Sequence, residues 1–253
     1  METTIPRFYC INLARSTARR QRMEKRFALH GLDATFVTGI RSDCHMIDFF
    51  DHQMVNPVGN IDLWRKNIGC YLSHLKAIRT FLETTDESAI ICEDDILFHN
   101  NFREMYHQVM ANIPPETPLI SFCYMNEQWE CPWAGIDSSK KNVVMINPLY
   151  TWGAQCYYIT KDHAKQILLT WDRCMCELGN GNVTPENYIR VSRGLMSYPP
   201  LVIEEDIDSE RSPRDLPYHV KHFRFWGYHN YNTSDPERIS PLIEQTSLNT
   251  TQE

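Results

Sequence analysis

The 253-residue chain has no apolar run near the length of about 20 residues that a membrane-spanning helix requires. Its start, METTIPRFYCINL, lacks the basic n-region and long apolar h-region of a secretory signal. Together these absences give the expectation of a cytoplasmic protein with no transmembrane segment. C-x-x-C spacing is also missing. The nine cysteines are an odd, scattered set, and their closest pair, Cys174 and Cys176, forms a C-x-C that is a weak metal signal. Cys10, Cys70, Cys92 and Cys156 sit in apolar segments and are expected as small core residues in a reduced compartment. The N-x-S/T sequons at Asn182, Asn232 and Asn249 are then chance occurrences. An excess of positive charge is absent as well. The formal net charge of -7 disfavours nucleic acid and anionic membranes as partners. There is no internal repeat and no low-complexity linker.

What the chain does have is a globular composition, 42% hydrophobic and 23% charged, with strands and helices in alternation. Strands are expected at Arg7–Leu13, Ala34–Thr38, Ala89–Cys92, Leu119–Met125, Val143–Ile146 and Gln155–Ile159, with extended chain from Met196 to Ile203 around Pro199-Pro200. Helices are expected from a Ser16 cap to about Leu29, within Ser42–Gln53, and over Ile68–Thr84, where Leu72, Leu75, Ile78, Phe81 and Leu82 recur at helical spacing. Others should run from an Asn100 or Asn101 cap to about Ile113, from Asp162 to about Cys176, and from Pro185 to about Arg193. This alternation implies α/β class: a single Rossmann-like domain with a mostly parallel central sheet covered on both faces. The expected division is a domain over residues 1–229 and a poorly ordered polar tail over 230–253.

Chemistry concentrates at two strand ends. In AIICEDDILF, the carboxylates of Glu93, Asp94 and Asp95 follow directly on a buried strand. Ligands of open parallel sheets bind beyond the carboxyl ends of the strands. Alternation along an extended segment would turn Glu93 and Asp95 to one side and Asp94 to the other. Two carboxylates on one side form a hard-oxygen site suited to Mg2+ or Mn2+ with substrate phosphate oxygens. An acidic surface turn is the plainer alternative. The second stretch, INLARSTARRQRMEKR, carries Arg15, Arg19, Arg20, Arg22, Lys25 and Arg26 against Glu24 alone. It runs from a strand end into a helix start, where backbone N–H groups and arginines favour an anion; a solvated helix face is the alternative. The pair of features matches what a nucleotide diphosphate with a divalent metal needs. A third stretch, GCYLSHLKAIR, places Ser73, His74 and Lys76 on an amphipathic helix, where a Ser-His pair is commonly structural.

INLARSTARR, GCYLSHLKAI, IICEDDILF, WGAQCYYITKDHAKQIL, and PENYI followed by SYPPLV occur in an order and spacing that resemble glycosyltransferase family 25, over residues 7 to about 210. This family includes bacterial lipooligosaccharide galactosyltransferases and collagen-modifying galactosyltransferases. The resemblance implies a GT-A type fold and inverting transfer of a hexose, galactose or glucose, from a UDP-sugar donor to a glycan or glycoconjugate acceptor. It places Glu93 and Asp95 on a Mn2+ or Mg2+ cofactor. It places Asn12, Leu13, Arg15, Arg19, Arg20, Ser73, His74, Lys76 and Asp94 around the donor, with Ser73 and His74 in the family's G-x-x-x-S-H segment. Asp94 would touch the sugar or ribose, or brace the basic helix.

Inversion needs a base, for which Glu186 is the leading candidate, one methylene longer than the family's usual aspartate. Asp206 and Asp208 are alternatives, and Glu127 and Glu130 weaker ones. Trp129 and Trp133 in a long loop suggest an acceptor-side lid, and Trp152 and Gly153 suggest a strand-end contact with a sugar ring. His219 and His222 form an H-x-x-H, expected as part of an aromatic cluster, with an extra metal ligand as the other reading. The competing functional expectation is a catalytically inactive glycosyltransferase-like binding or adhesion protein.

Overall fold

The unbroken apolar runs become strands buried on both faces, as a helix-covered sheet requires. In β1 (Phe8–Asn12) all five residues are buried. Phe8 and Cys10 enter one core and Tyr9 and Ile11 the other. β3 (Ser88–Glu93) divides the same way, with Ile90 and Cys92 against Ala89 and Ile91. These elements come from a computed structural model that describes residues 4–51, 61–126, 143–145, 151–177, 195–205, 230–232 and 234–235.

Between and after these strands lie α1 (Thr17–Leu29), β2 (Ala34–Thr38), α2 (His45–Asp51), α3 (Ile61–Leu82), β4 (Ile96–Phe98), α4 (Phe102–Asn112), β5 (Leu119–Asn126), β6 (Val143–Met145), β7 (Thr151–Thr160), α5 (Lys161–Glu177), β8 (Leu195–Ser197) and β9 (Val202–Glu204). Seven strands form one sheet in the order β2-β1-β3-β7-β5-β8-β6. β1, β2, β3, β5 and β8 run one way, while β6 and β7 run the other. The α/β class and mostly parallel sheet are therefore as expected. α3 and α5 pack on one face with Tyr71, Ile78, Phe81, Ala164 and Ile167. α1 and α4 cover the other with Met23, Phe27, Phe102, Tyr106 and Val109. A separate two-stranded sheet pairs β4 with β9. Among the described residues no helix is long and apolar enough to cross a membrane.

Several expected boundaries move. α3 begins at Ile61, not Ile68, because Trp64, Asn67 and Ile68 extend its buried face by two turns. Gly69 permits that helix to approach the chain after β2: a Cβ there would sit 2.7 Å from the Ile40 carbonyl oxygen. β7 begins at Thr151, so Trp152 and Gly153 lie within a strand rather than before it. Cys70 is half-buried rather than a core residue.

Of the expected polar tail, residues 230–232 and 234–235 are described, and these pack into the fold. Tyr231, Asn232 and Asp235 are buried. Tyr231 donates its hydroxyl to the Pro200 carbonyl at 2.8 Å, and the Phe98 N–H donates to Asn232 Oδ1 at 2.5 Å. Tyr231 and Asn232 are absorbed here because each meets a backbone group left open around β4, and Asp235 because it meets the Arg26 guanidinium at 2.8 Å. The sequon asparagine Asn232 is thus a buried structural residue.

Candidate functional site

The carboxyl ends of β1, β2 and β3 lie side by side, since Asn12 pairs with Thr38 and Ile11 pairs with both Val37 and Glu93. The antiparallel β7 brings its beginning to the same edge: Cys92 is opposite Cys156, while Met125 and Asn126 of β5 are opposite Trp152 and Thr151. The acidic triplet, the start of the basic stretch and the Trp152–Gly153 backbone therefore share one end of the sheet.

β3 ends at Glu93, and the chain bends at Asp94 and Asp95. Strict alternation stops with the strand, so the expected pairing of Glu93 with Asp95 gives way to another. Asp94 and Asp95 converge on Arg19, whose Nη2 lies 2.6 Å from Asp94 Oδ1 and 2.7 Å from Asp95 Oδ2. Asn12 donates its amide to Asp94 Oδ2 at 2.5 Å and to the Ser16 carbonyl at 3.1 Å. Asp94 is thus tied to both ends of the β1–α1 turn, a contact that braces the basic helix. Burial, reinforced by Asp95 and Glu93 and opposed by Arg19 and Asn12, pushes the Asp94 carboxyl up to about 7.

Glu93 turns elsewhere. Its Oε1 lies 3.5 Å from Nε2 of His74, which is fully buried. His74 Nδ1 is 3.1 Å from the Tyr157 hydroxyl, and the two rings stack at 5.8 Å with an interplanar angle of 19°. Ser73 serves the local structure, with Oγ donating to the Gly69 carbonyl at 2.6 Å and accepting from the Ile40 N–H at 2.7 Å. Lys76 donates to the Thr38 carbonyl at 2.8 Å, tying α3 to the end of β2. Leu13 is half-buried beside Gly39. Arg15 is exposed. Arg20 pairs with Glu24 at 2.9 Å and lies over the Phe36 ring at 4.5 Å. Gly153 holds φ at +103°, a conformation that favours glycine, and an added Cβ would collide with the Gln155 amide.

Glu186, Asp206, Asp208, Glu127, Glu130, Trp129, Trp133, His219 and His222 lie outside the described residues, as does the side chain of Trp152. Burial lifts the thiols of Cys10 and Cys92, the latter to about 11, so neither is an activated nucleophile at neutral pH.

Sequence reasoning missed the cation behind the acidic bend. Arg26 is completely buried and grips Glu205 through two bonds of 2.8 and 2.6 Å. It also donates to Asp235 at 2.8 Å and to the Ile96 carbonyl at 3.1 Å. Desolvation acts to lower its pKa, but Glu205 and Asp235 outweigh that and hold it raised. The Glu205 N–H in turn donates to the Asp95 carbonyl at 2.6 Å. A signal was present: Arg19, Met23 and Arg26 fall at i, i+4 and i+7, one helix face.

The family model described as "Glycosyltransferase family 25 (LPS biosynthesis protein)" matches residues 5–176, more than half of the chain. A "Glycosyltransferase 25 family member" of Anopheles gambiae is 29% identical over 175 residues, covering 65% of this chain and 29% of that protein. Human "Procollagen galactosyltransferase 2" is 25% identical over 112 residues, covering 42% of this chain and 18% of that one. The matched segments thus span well under half the length of these relatives. A solved structure, that of "a glycosyltransferase involved in the glycosylation of the major capsid of PBCV-1", covers 82% of this chain and 97% of its own at 10% identity and a TM-score of 0.37. With the acidic and basic segments at one sheet end and the family match running from β1 into α5, the chain belongs to glycosyltransferase family 25.

Proposed function

We propose that this chain is a metal-dependent, inverting glycosyltransferase that moves a hexose, galactose or glucose, from a UDP-sugar to an acceptor hydroxyl on a glycan or glycoconjugate. The observation that carries the reading is the convergence of Asn12, Arg19, Asp94 and Asp95 at the carboxyl ends of β1 and β3. That is where open α/β sheets bind nucleotides. Names among the relatives support the sugar and acceptor classes: one is a procollagen galactosyltransferase, and the family is described as an LPS biosynthesis protein.

Three carboxylates crowd this end, and the Arg19 guanidinium bridges two of them. The concentration of hard oxygen donors and negative charge fits Mn2+ or Mg2+. Asp95 belongs both to the pair expected from sequence and to the pair that converges, so Asp95 with Asp94 would hold the ion. When bound, the ion would neutralise charge on the departing nucleoside diphosphate. Asn12 fixes the Asp94 carboxylate, and Arg19 holds the two aspartates together until a cation competes for them. Glu186 is proposed as the base that takes the acceptor hydroxyl proton, with Asp206 as the alternative.

The test is nucleotide release from UDP-galactose and UDP-glucose, with and without Mn2+, in the wild type, Asp95→Ala and Glu186→Gln. Metal-dependent release that Asp95→Ala removes while the protein stays folded supports the reading. Donor binding without turnover in the wild type would favour an inactive binding protein. Retained transfer in Asp95→Ala would overturn the metal role.

A further inference from the structure

His74 is entirely out of solvent, yet its Nε2 has no hydrogen-bond partner. A buried polar atom left unsatisfied is costly and calls for an explanation. This one is aimed at Glu93 Oε1, 3.5 Å away. On α3, one turn before His74, stands Cys70; residues at i and i+4 share a helix face. The Cys70 thiol, one His74 ring nitrogen and one Glu93 carboxylate oxygen all lie within 4.8 Å of one another.

We infer that Cys70, His74 and Glu93 form a binding site for Zn2+ or a similar borderline-soft divalent cation, distinct in ligand chemistry from the aspartate pair. Sulfur, imidazole nitrogen and carboxylate oxygen are the donors zinc takes, three protein ligands with water in the fourth position. Bond lengths of about 2.0 Å to nitrogen and oxygen and about 2.3 Å to sulfur give tetrahedral edges of roughly 3.3–3.5 Å. The His74–Glu93 separation already meets that, and a small side-chain movement brings in the thiol. Cys70 forms no disulfide and binds as thiolate, its proton passing to solvent.

The surroundings are those of a ligating histidine. With Nε2 on the metal, Nδ1 carries the ring proton and donates it to the Tyr157 hydroxyl at 3.1 Å, which fixes tautomer and ring orientation. Cys70 and Glu93 are each half-buried, so an ion can enter from solvent. Occupancy would pin the last residue of β3 to α3 and leave Asp94 and Asp95 as the hard-metal pair.

The test is Co2+ titration of the full reduced chain without donor or acceptor, so that it is read independently of any transferase activity. One equivalent should produce a thiolate-to-cobalt charge-transfer band and intense tetrahedral d–d absorption, both bleached by Zn2+. Cys70→Ser should lose the charge-transfer band while keeping the wild-type circular dichroism spectrum. Tyr157→Phe should keep the band but bind roughly tenfold more weakly. No thiolate band at stoichiometric Co2+, or an unchanged band in Cys70→Ser, would overturn the site.

Discussion

Arg19 Nη2 lies 2.6 Å from Asp94 Oδ1, joining the first turn of α1 to the bend that ends β3. The contact is mostly shielded from water, with side-chain exposures of 15% and 9%. Replacing Arg19 by Met would leave two adjacent aspartates without their guanidinium. The expected cost is about 2 kcal/mol, below the range of about 3–5 kcal/mol for breaking a fully buried pair, because the site retains some solvent. Urea unfolding of Arg19→Met against wild type measures it, and an unchanged midpoint would show the contact to be energetically idle.

Arg26 should be far less tolerant. It has no exposure at all, and its removal strands Glu205 and Asp235 in a low-dielectric interior. Arg26→Met is expected to destabilise by roughly 3–5 kcal/mol. Truncation before residue 230 should also destabilise, since it removes Asp235 and the buried Tyr231. A truncated chain that melts like the full one would contradict the docking of Tyr231, Asn232 and Asp235.

Gly69→Ala sets two effects against each other. Alanine gains about 1 kcal/mol in helix propensity, but its Cβ would sit 2.7 Å from the Ile40 carbonyl oxygen, a backbone atom. Overpacking of that kind costs roughly 1–3 kcal/mol, so net destabilisation is expected. Ser73→Ala should cost about 1 kcal/mol through loss of the bond from the Ile40 N–H. Thermal melts of both variants test the clasp between α3 and the chain after β2.

The histidines that pack on aromatic rings should make the fold acid-sensitive. Burial lowers the pKa of His30, helped by Arg103 and His99, and burial lowers that of His99. A depressed histidine means the unfolded chain binds the proton more readily. The associated stability is fully present above the ordinary value near 6.5 and is lost as pH falls through the folded-state value. His30→Gln/His99→Gln should therefore flatten the decline of stability below about pH 6.5. Denaturant midpoints collected across pH 4.5–7.5 (a range of about three units) would reveal an unflattened slope if the idea is wrong.

The reach of the sequence varied with the range of the interaction. β2 was legible to the residue because its apolar run and flanking turns are local. The rise of the strands from FYCIN and SAIICE followed from continuous hydrophobicity. The acidic and basic segments were placed correctly at one sheet end by topology alone. What failed was side-chain direction beyond a strand end: Glu93 and Asp95 part company because the backbone bends at Asp94, and no periodicity survives a bend. Arg26 was hidden differently. Its partners lie 179 and 209 residues away in sequence, and the one local signal, its place on the helix face of Met23, is masked by five other basic residues nearby.

That separation has a consequence for how the chain reaches its final state. A helix that begins at Thr17 carries a cation whose neutralisation waits for Glu205 and Asp235. An emerging polypeptide would have its first βαβ unit complete long before those residues leave the ribosome. Until they arrive, burying Arg26 against β4 would leave its charge uncompensated, at a cost of several kcal/mol. Full packing of α1 is therefore expected to be completed late and cooperatively, with residues 205 and 235 supplying the charge that lets the first helix seat.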